Sequence, residues 1–282
     1  EFPFYNAIVA SVYKFIGISE TWGRVVSVVF SVGTIIIFYF LVTTLFGTEI
    51  ALLSSLFLYT FSPQSIIVSR SFQPDQMGIF FGIASLYFFM QWSTNLRSRY
   101  YLYSLICFTV TLLIKVQFFT FAAPMLYVVY QKWGFGFFKK PLLYFYGIAF
   151  IPFLAWWYHL RIVYQTFPLL HSAPLLNPGG WIDLSILTNP HWYINNAYDF
   201  TEQITTLPVL LLAISGFFIK QDKNKGFLYT CYLGLLIYVF LFLGKIHFWY
   251  YQVPFLFPTV ILAGIAGTAL YHAAKNMMRY PI

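Results

Sequence analysis

The sequence predicts an all-α membrane protein, a polytopic bundle of about nine transmembrane helices preceded by an interfacial helix. The first observation is composition: 60% of the 282 residues are hydrophobic and 9% are charged, whereas soluble domains carry about 25% charged residues. The second is a series of apolar runs, several of which reach the ~20 residues that a membrane-spanning helix needs. The third is the position of the cations, which fall in every second gap between those runs.

The cations assign each loop to one side of the membrane, because cytoplasmic loops are enriched in Lys and Arg. Most of the 16 cations share alternate gaps and the C-terminal tail, namely Arg97, Arg99, Lys132, Lys139, Lys140, Lys220, Lys223, Lys225, Lys275 and Arg279. The others fall on the outer side or its boundary, namely Lys14, Arg24, Arg70, Lys115, Arg161 and Lys245. Basic cytoplasmic loops account for the net charge of +8, so we predict no nucleic-acid partner.

The N-terminal part predicts an interfacial helix and then three spans. Residues 4–18 are too short to cross a bilayer, and their apolar side chains share one helical face, as in helices that lie in the membrane surface. That face carries Phe4, Ile8, Val12 and Phe15. The spans are predicted over residues 22–46, 50–67 and 76–93.

The next stretch, 100–131, is apolar for about 30 residues on both sides of Lys115 and predicts two helices. A single helix of that length, at about 1.5 Å per residue, would overshoot a hydrocarbon core of ~30 Å. The gaps on both sides of this stretch are also cytoplasmic by their charge, which requires an even number of crossings. We therefore predict two shorter helices that meet near Lys115, followed by a span over 141–163.

Residues 164–206 predict a long loop on the outer side. Pro and Gly residues punctuate it with turns, and a loop of this length in an otherwise compact protein is usually functional. Spans over 207–219, 226–243 and 248–270 complete the bundle. Because no internal repeat or linker interrupts the chain, we predict one domain over residues 1–282.

The first candidate site residues are Arg70 and Asp75, at the outer mouth between two predicted spans. Pro74 breaks the chain there and presents Asp75 at a helix start. An Asp at that position commonly serves as the N-cap, a role that does not exclude a functional one. Arg70 either pairs with Asp75 or holds a phosphate, to which its guanidinium can donate two parallel hydrogen bonds.

Lys115 is the second candidate, and two interpretations stay open. A Lys at a helix end usually extends its ammonium to the membrane interface. Alternatively, a cation within an apolar wall, on the side where cations are scarce, binds a lipid-linked phosphate.

The third group of candidates lies in the segment that starts at Lys245 and contains His247 and Tyr250. Its Trp and Tyr residues are typical of the aromatic belt at a membrane interface, whereas Lys245 and His247 add cationic groups to the outer face. Glu1 is a further candidate, because a carboxylate followed by Pro and aromatic residues precedes the interfacial helix.

The sequence predicts neither a metal site nor a cofactor. Its His residues lack metal-ligand spacing, and both cysteines lie inside apolar runs, as small buried hydrophobic residues do. A phosphate-binding Gly-rich loop, a Gly-x-Ser-x-Gly elbow and a His-Glu-x-x-His motif are all missing from the sequence. Water-soluble nucleotide chemistry is therefore unsupported.

Several short motifs, in their order along the chain, resemble one family of membrane enzymes. Glu1 to Tyr5 resembles a Glu-x-Pro-Pro-aromatic segment of the family's first outer loop. The other matching pieces are residues 23–27, 45–47 and 62–63, Arg70, Pro74, Asp75, Lys115 and residues 250–258. The family is the bacterial protein-mannosyltransferase-like, or aminoarabinose-transferase-like, group of membrane glycosyltransferases with the GT-C fold.

The resemblance implies a specific reaction. Such enzymes transfer a sugar from a polyprenyl-phosphate carrier to a hydroxyl of a lipid, glycan or protein, outside the cytoplasmic membrane and with inversion of the anomeric carbon. A carboxylate in the first outer loop acts as the general base on the acceptor hydroxyl. Cations hold the carrier phosphate, which is the leaving group.

The resemblance also implies roles for individual residues. Glu1 and Asp75 are the catalytic candidates, and Tyr5 and Tyr250 are the candidates for substrate binding. The candidates for holding the donor phosphate are Arg70, Lys115, Lys245 and His247.

The chain departs from the family at its start. The family's principal acid precedes the Glu-x-Pro segment, whereas this chain starts at Glu1 without a methionine or signal peptide. We therefore expect a fragment that lacks at least one N-terminal span and is inactive by itself. Phe4 also stands where many relatives have a second Pro, and Val116 stands where many have Gly.

Two other functions compete with the glycosyltransferase. A transporter or flippase for lipid-linked sugars would carry charged or broken helices near the bilayer midplane, so the depth of Lys115 and Arg161 discriminates between the two. A noncatalytic membrane scaffold would scatter its outer acids and cations over the surface instead of gathering them in one cavity.

Overall fold

The computed structural model describes residues 3–166, 183–220, 224–243 and 249–279. The structure is 90% helical, and no strand occurs among the residues that it describes. Its helices are α1 (Pro3–Ile16), α2 (Glu20–Phe46), α3 (Thr48–Ala51), α4 (Pro63–Arg70), α5 (Asp75–Asn95), α6 (Ser98–Leu112), α7 (Ala122–Trp133), α8 (Pro141–Phe145), α9 (Phe150–Thr166), α10 (Pro190–Tyr198), α11 (Leu207–Phe218), α12 (Lys225–Leu241) and α13 (Leu256–Arg279).

Short segments of other helix types connect these elements. The π-helical segments are Leu52–Tyr59 and Asp199–Ile204. The 3-10 segments are Val116–Phe121, Gly134–Lys139, Tyr146–Ala149, Leu184–Thr188 and Trp249–Phe255. The predicted all-α fold class is therefore confirmed.

Length and composition identify three described helices that could cross a membrane, Glu20–Phe46, Pro141–Val163 and Tyr250–Met278. Two bent pairs are apolar enough when each is taken together, Thr48–Tyr59 with Pro63–Arg70 and Pro190–Ile204 with Leu207–Phe218. These give three spans, or five if each bent pair is one span. The nine crossings stay a prediction.

Helix α1 packs along α2 by the face that the sequence predicted, except at its end. Tyr5 is buried, and Phe4, Ile8 and Val12 pack against the core beside it. Phe15 is 84% exposed, although it shares that face by helical periodicity. The packed surface therefore ends one turn before the helix does.

The predicted span over residues 50–67 is not one straight helix. The two helical pieces, Thr48–Tyr59 and Pro63–Arg70, meet at an angle of 59°. The hydroxyl of Ser62 accepts a hydrogen bond from the backbone N–H of Ser65 at 3.2 Å, and Pro63 takes the first helical position. Ser at the N-cap followed by Pro is a strong signal for a helix start, so α4 begins in a new direction.

The prediction that 100–131 forms two helices is confirmed. Helix α6 ends at Leu112, the segment Val116–Phe121 follows, and α7 begins at Ala122. The backbone of Lys115, between them, is extended, with φ −151° and ψ 140°. The chain therefore changes direction where its charged residue lies.

Helices α5 and α6 form an antiparallel pair that polar side chains hold in register. The hydroxyl of Thr111 donates to the carbonyl of Gly78 at 2.6 Å, and the hydroxyl of Ser104 donates to the carbonyl of Ser85 at 2.7 Å. Interhelical hydrogen bonds of this kind from Ser and Thr are common between membrane helices. They fix the end of α6 against the first turns of α5.

Two glycines on one face of α5 admit aromatic rings from the following segment. A Cβ at Gly78 would overlap the ring of Phe118, and a Cβ at Gly82 would overlap the ring of Phe121. Both rings are buried and stack with centroids 6.1 Å apart. The close approach of Val116–Phe121 to α5 thus depends on glycine, which has no side chain, at positions 78 and 82.

We predict that Gly82→Ala lowers the free energy of unfolding by about 1–3 kcal/mol, because a methyl group in a filled core forces neighbouring side chains to shift. Thermal unfolding in detergent measures the change. Gly136→Ala is the matched control, since a Cβ there meets open space. Equal midpoints for the two variants would contradict the proposed tight contact.

Candidate active site

A buried ion pair joins Asp75 and Lys115, which lie 40 residues apart in the chain. The ammonium Nζ of Lys115 donates to both carboxylate oxygens of Asp75, each at 2.8 Å. The Asp75 side chain has no exposed surface, and the Lys115 side chain is 16% exposed. Because an uncompensated buried charge is strongly unfavourable, the charge of each group stabilises the charge of the other.

Asp75 is the first residue of α5, and its carboxylate contacts Lys115 from another segment of the chain. Pro74 takes the N-cap position, and no side chain caps the helix there. The backbone N–H of Gly78 donates to the carbonyl of Pro74 at 3.1 Å, which closes the first turn. A negative charge in this turn is favoured by the helix dipole. Asp75 therefore does not act as the N-cap, and its carboxylate binds Lys115.

Lys115 reaches Asp75 because α6 ends three residues earlier. Thr111 ties the last turn of α6 to Gly78, in the first turn of α5. The extended backbone at Lys115 then releases its side chain from the helix surface. The ammonium is therefore held by Asp75.

Two further side chains extend the hydrogen-bond network of the ion pair into the bundle. Gln117 donates from Nε2 to Oδ1 of Asp75 at 3.5 Å, and its Oε1 accepts from the hydroxyl of Tyr238 at 3.5 Å. Gln117 has only 1% of its surface exposed, and Tyr238 has 2%. These long hydrogen bonds couple the ion pair to α12.

Aromatic rings from the segment Trp249–Phe255 cover the other side of Lys115. Its Nζ lies 5.1 Å from the ring centroid of Tyr250 and 6.0 Å from that of Tyr251, both within the range of cation–π attraction. An ammonium has three N–H donors, and two serve the Asp75 carboxylate. The third remains for another acceptor on the partly exposed side of Lys115.

The arrangement is chemically suited to an anion. A fixed ammonium with one remaining donor, next to aromatic faces, can bind an oxyanion such as phosphate and stabilise negative charge that develops on it. Within the described ranges, no three His, Cys, Asp or Glu residues lie close enough to hold a metal ion.

Comparison with known families decides what kind of protein carries this site. The model of the dolichyl-phosphate-mannose-protein mannosyltransferase family matches residues 2–159, which is more than half of the 282-residue chain. The chain belongs to this mannosyltransferase family. The matched range contains both Asp75 and Lys115, whereas Tyr238 and Tyr250 lie beyond it.

Two solved structures share the fold. ArnT from Cupriavidus metallidurans in the apo state is 16% identical, with a TM-score of 0.66. The same protein bound to undecaprenyl phosphate is 17% identical, with a TM-score of 0.67. Each likeness covers 94% of this chain and 49% of the ArnT chain, so this chain spans about half the length of that protein. The shared fold is the GT-C fold. No curated protein matches the sequence.

The sequence also predicted four other charged site residues in this member of the mannosyltransferase family, namely Arg70, Glu1, Lys245 and His247. Arg70 is the exposed last residue of α4, with no hydrogen bond or ion pair to the rest of the described chain. Lys115, and not Arg70, therefore pairs with Asp75. Glu1, Lys245 and His247 lie outside the described residues.

Tyr5 reaches the loop before Asp75 through a hydrogen-bond network. Its hydroxyl donates to the carbonyl of Gly23 at 3.0 Å and lies 3.1 Å from the hydroxyl of Ser27. Ser27 in turn donates to the carbonyl of Gln73 at 3.2 Å. Tyr5 thus joins α1 and α2 to the turn that presents Asp75.

Sequence reasoning missed Gln117 and Tyr238. Gln117 follows Lys115 by two residues, and an amide near a charged residue in an apolar run was the available signal. Tyr238 lies in an apolar run with no such signal, because nothing local distinguishes it from an aromatic residue that faces lipid.

We predict that Lys115→Met lowers the free energy of unfolding by about 3–5 kcal/mol, because it removes the cation that contacts both oxygens of the buried Asp75 carboxylate. In the double variant Asp75→Asn/Lys115→Met both charges are gone, and most of the loss is recovered. Thermal unfolding of the purified protein in detergent measures both values. A double variant as unstable as Lys115→Met would contradict the pairing.

Proposed function

We propose that this protein is a membrane glycosyltransferase that moves a sugar from a polyprenyl-phosphate carrier to a hydroxyl of a lipid, glycan or protein on the extracytoplasmic face. The observation that carries the proposal is the Asp75–Lys115 ion pair, which fixes a cation with one remaining donor beneath Tyr250. Membership of the mannosyltransferase family supports the reaction class.

The place of the ion pair along α5 supports a site at one membrane face. Asp75 is the first of the 21 residues of α5 and Asn95 is the last, so the two ends are about 30 Å apart, close to the thickness of the hydrocarbon core. Arg97 and Arg99 follow directly after Asn95 and make that end cytoplasmic by the positive-inside rule. The ion pair then belongs to the outer end. A flippase is less well supported, because its charged site would lie near the midplane.

Lys115 is proposed to hold the carrier phosphate. In the transfer, the acceptor hydroxyl oxygen forms a bond to the anomeric carbon while the bond from that carbon to the phosphate oxygen breaks. The electron pair leaves with the phosphate, and the N–H of Lys115 stabilises the charge that develops there. Attack opposite the leaving group inverts the anomeric carbon. ArnT bound to undecaprenyl phosphate supports a carrier of this chemical class.

Asp75 is proposed to act by positioning Lys115. Its carboxylate is completely buried and paired, whereas a general base must lie within hydrogen-bonding reach of the acceptor hydroxyl. The proton of that hydroxyl is then accepted by another carboxylate of the outer side. The resemblance assigns this role to an acid that precedes the Glu-x-Pro segment, and Glu1 is the candidate among the residues of this chain. Arg70, Lys245 and His247 remain proposed as additional groups for the phosphate, and Tyr5 and Tyr250 as groups that shape the substrate site.

The test follows label from radiolabelled polyprenyl-phosphate sugars into lipid, glycan and protein fractions of membranes that carry the full-length protein. We predict that the double variant Asp75→Asn/Lys115→Met loses transfer by about 100- to 1,000-fold, the usual effect of removing one group that stabilises a developing anion. Asp75→Asn alone loses about 10- to 100-fold, because Lys115 is present but less well positioned.

The matched control is Lys275→Met, which removes an exposed cation from the cytoplasmic end of α13 and should transfer like the wild type. Expression and thermal midpoint are compared for all variants, so that a folding defect is separated from a loss of chemistry. Transfer by the double variant equal to that of Asp75→Asn would remove Lys115 from the mechanism. Movement of lipid-linked sugar across the bilayer, without transfer from any carrier, would favour the flippase.

A further inference from the structure

A cavity of about 140 Å³ lies between the segment that follows residue 183 and the last helices of the bundle. Helix α10 and the segment Asp199–Ile204 form one wall, and α12 and the segment Trp249–Phe255 form the other. Its principal lining residues are Trp192, Asn196, Phe200, Tyr238, Gln252 and Phe255. We call it the Trp192–Gln252 cavity.

The lining combines aromatic faces with a small number of amides. Gln252 donates from Nε2 to Oδ1 of Asn196 at 2.8 Å, and Asn196 donates from Nδ2 to the carbonyl of Trp192 at 2.8 Å. The rings of Phe200 and Phe255 meet edge to face, with centroids 5.6 Å apart. A mostly apolar wall with a few positioned polar groups is typical of a small-molecule site.

One polar group in this wall has no hydrogen-bond partner among the described residues. The indole Nε1 of Trp192 is buried and makes no hydrogen bond within the described part of the chain. Buried polar groups nearly always have a partner, and each exception needs an explanation. A hydroxyl group of a ligand in the cavity would accept this hydrogen bond.

The cavity is connected to the ion pair by two routes. Tyr238 lines it, and the hydroxyl of Tyr238 donates to Gln117, which donates in turn to Asp75. Gln252 lines it as well, directly after Tyr250 and Tyr251, whose rings face Lys115. Tyr238 and Gln252 thus connect the lining of the cavity to the surroundings of the ion pair.

We propose that the Trp192–Gln252 cavity binds the sugar ring of the donor, with the C–H faces of the ring against the aromatic side chains and its hydroxyls on Trp192 Nε1 and the amide of Gln252. This inference rests on the proposed function. A donor sugar is joined to its carrier phosphate through a single oxygen, so its ring must lie beside the group that holds the phosphate. The cavity has room for one such ring, and a polyprenyl chain is much longer than the cavity.

The test compares the binding of two lipids to the purified full-length protein, a polyprenyl phosphate that carries a sugar and the same polyprenyl phosphate without one. Trp192→Phe keeps the aromatic face and removes the N–H donor. We expect it to weaken binding of the sugar-bearing lipid about tenfold, the usual effect of one hydrogen bond, and to leave binding of the bare lipid unchanged. Gln252→Leu should act in the same way.

Trp157→Phe is the matched control, because Trp157 lies on α9 with 38% of its surface exposed, and it should bind both lipids like the wild type. Unchanged affinity of Trp192→Phe and Gln252→Leu for the sugar-bearing lipid would overturn the sugar site. Equal weakening for both lipids would also overturn the sugar site and would indicate a carrier site or a structural role. In the transfer assay, variants that raise only the KM for the acceptor would overturn it as well.

The two proposals fail differently. If the wild type transfers sugar while the cavity variants bind both lipids normally, only the sugar site is wrong. If the wild type neither binds bare polyprenyl phosphate nor transfers sugar from any carrier, the proposed function is wrong, and the sugar site is rejected with it.

Discussion

A buried carboxylate and a largely buried ammonium that pair with each other constrain the elements around them. Asp75 lies at the start of α5 and Lys115 at the break after α6. Their 2.8 Å contacts therefore require the start of α5 and the end of α6 to lie side by side. The hydrogen bond from Thr111 to the carbonyl of Gly78 stabilises this alignment of the two helix ends. Because either charge alone would be strongly unfavourable in this interior, the ion pair helps to specify the register of the helix pair.

The same constraint explains why the site is preorganised. Lys115 has a flexible side chain, and a flexible cation stabilises a developing charge poorly unless it is held in place. Asp75 and the ring of Tyr250 fix the ammonium from two directions. Gln117 and Tyr238 extend this support into α12. The proposed chemistry then needs little rearrangement of the protein when the substrate phosphate arrives.

The residues that cover the candidate site come from a part of the chain that is distant in sequence from Asp75 and Lys115. The segment Trp249–Phe255 contributes Tyr250 to Lys115 and Gln252 to the neighbouring cavity. The segment after residue 183 contributes Trp192 and Asn196 from the other side. A phosphate on Lys115 and a sugar in the cavity, as proposed, would thus contact three parts of the chain.

The sequence by itself determined the class of protein, the position of most helices and the break near Lys115, because these depend on local composition, on the length of apolar runs and on where charges interrupt them. It also picked out Asp75, Lys115 and Tyr250 as candidates. It did not decide that Asp75 pairs with Lys115 and not with Arg70, which is nearer in sequence. It gave no sign that Tyr238 would join them, since an aromatic residue in an apolar run looks the same whether it faces lipid or protein. Only the packing of distant helices decided those contacts, because a contact between segments far apart in the chain leaves no local pattern.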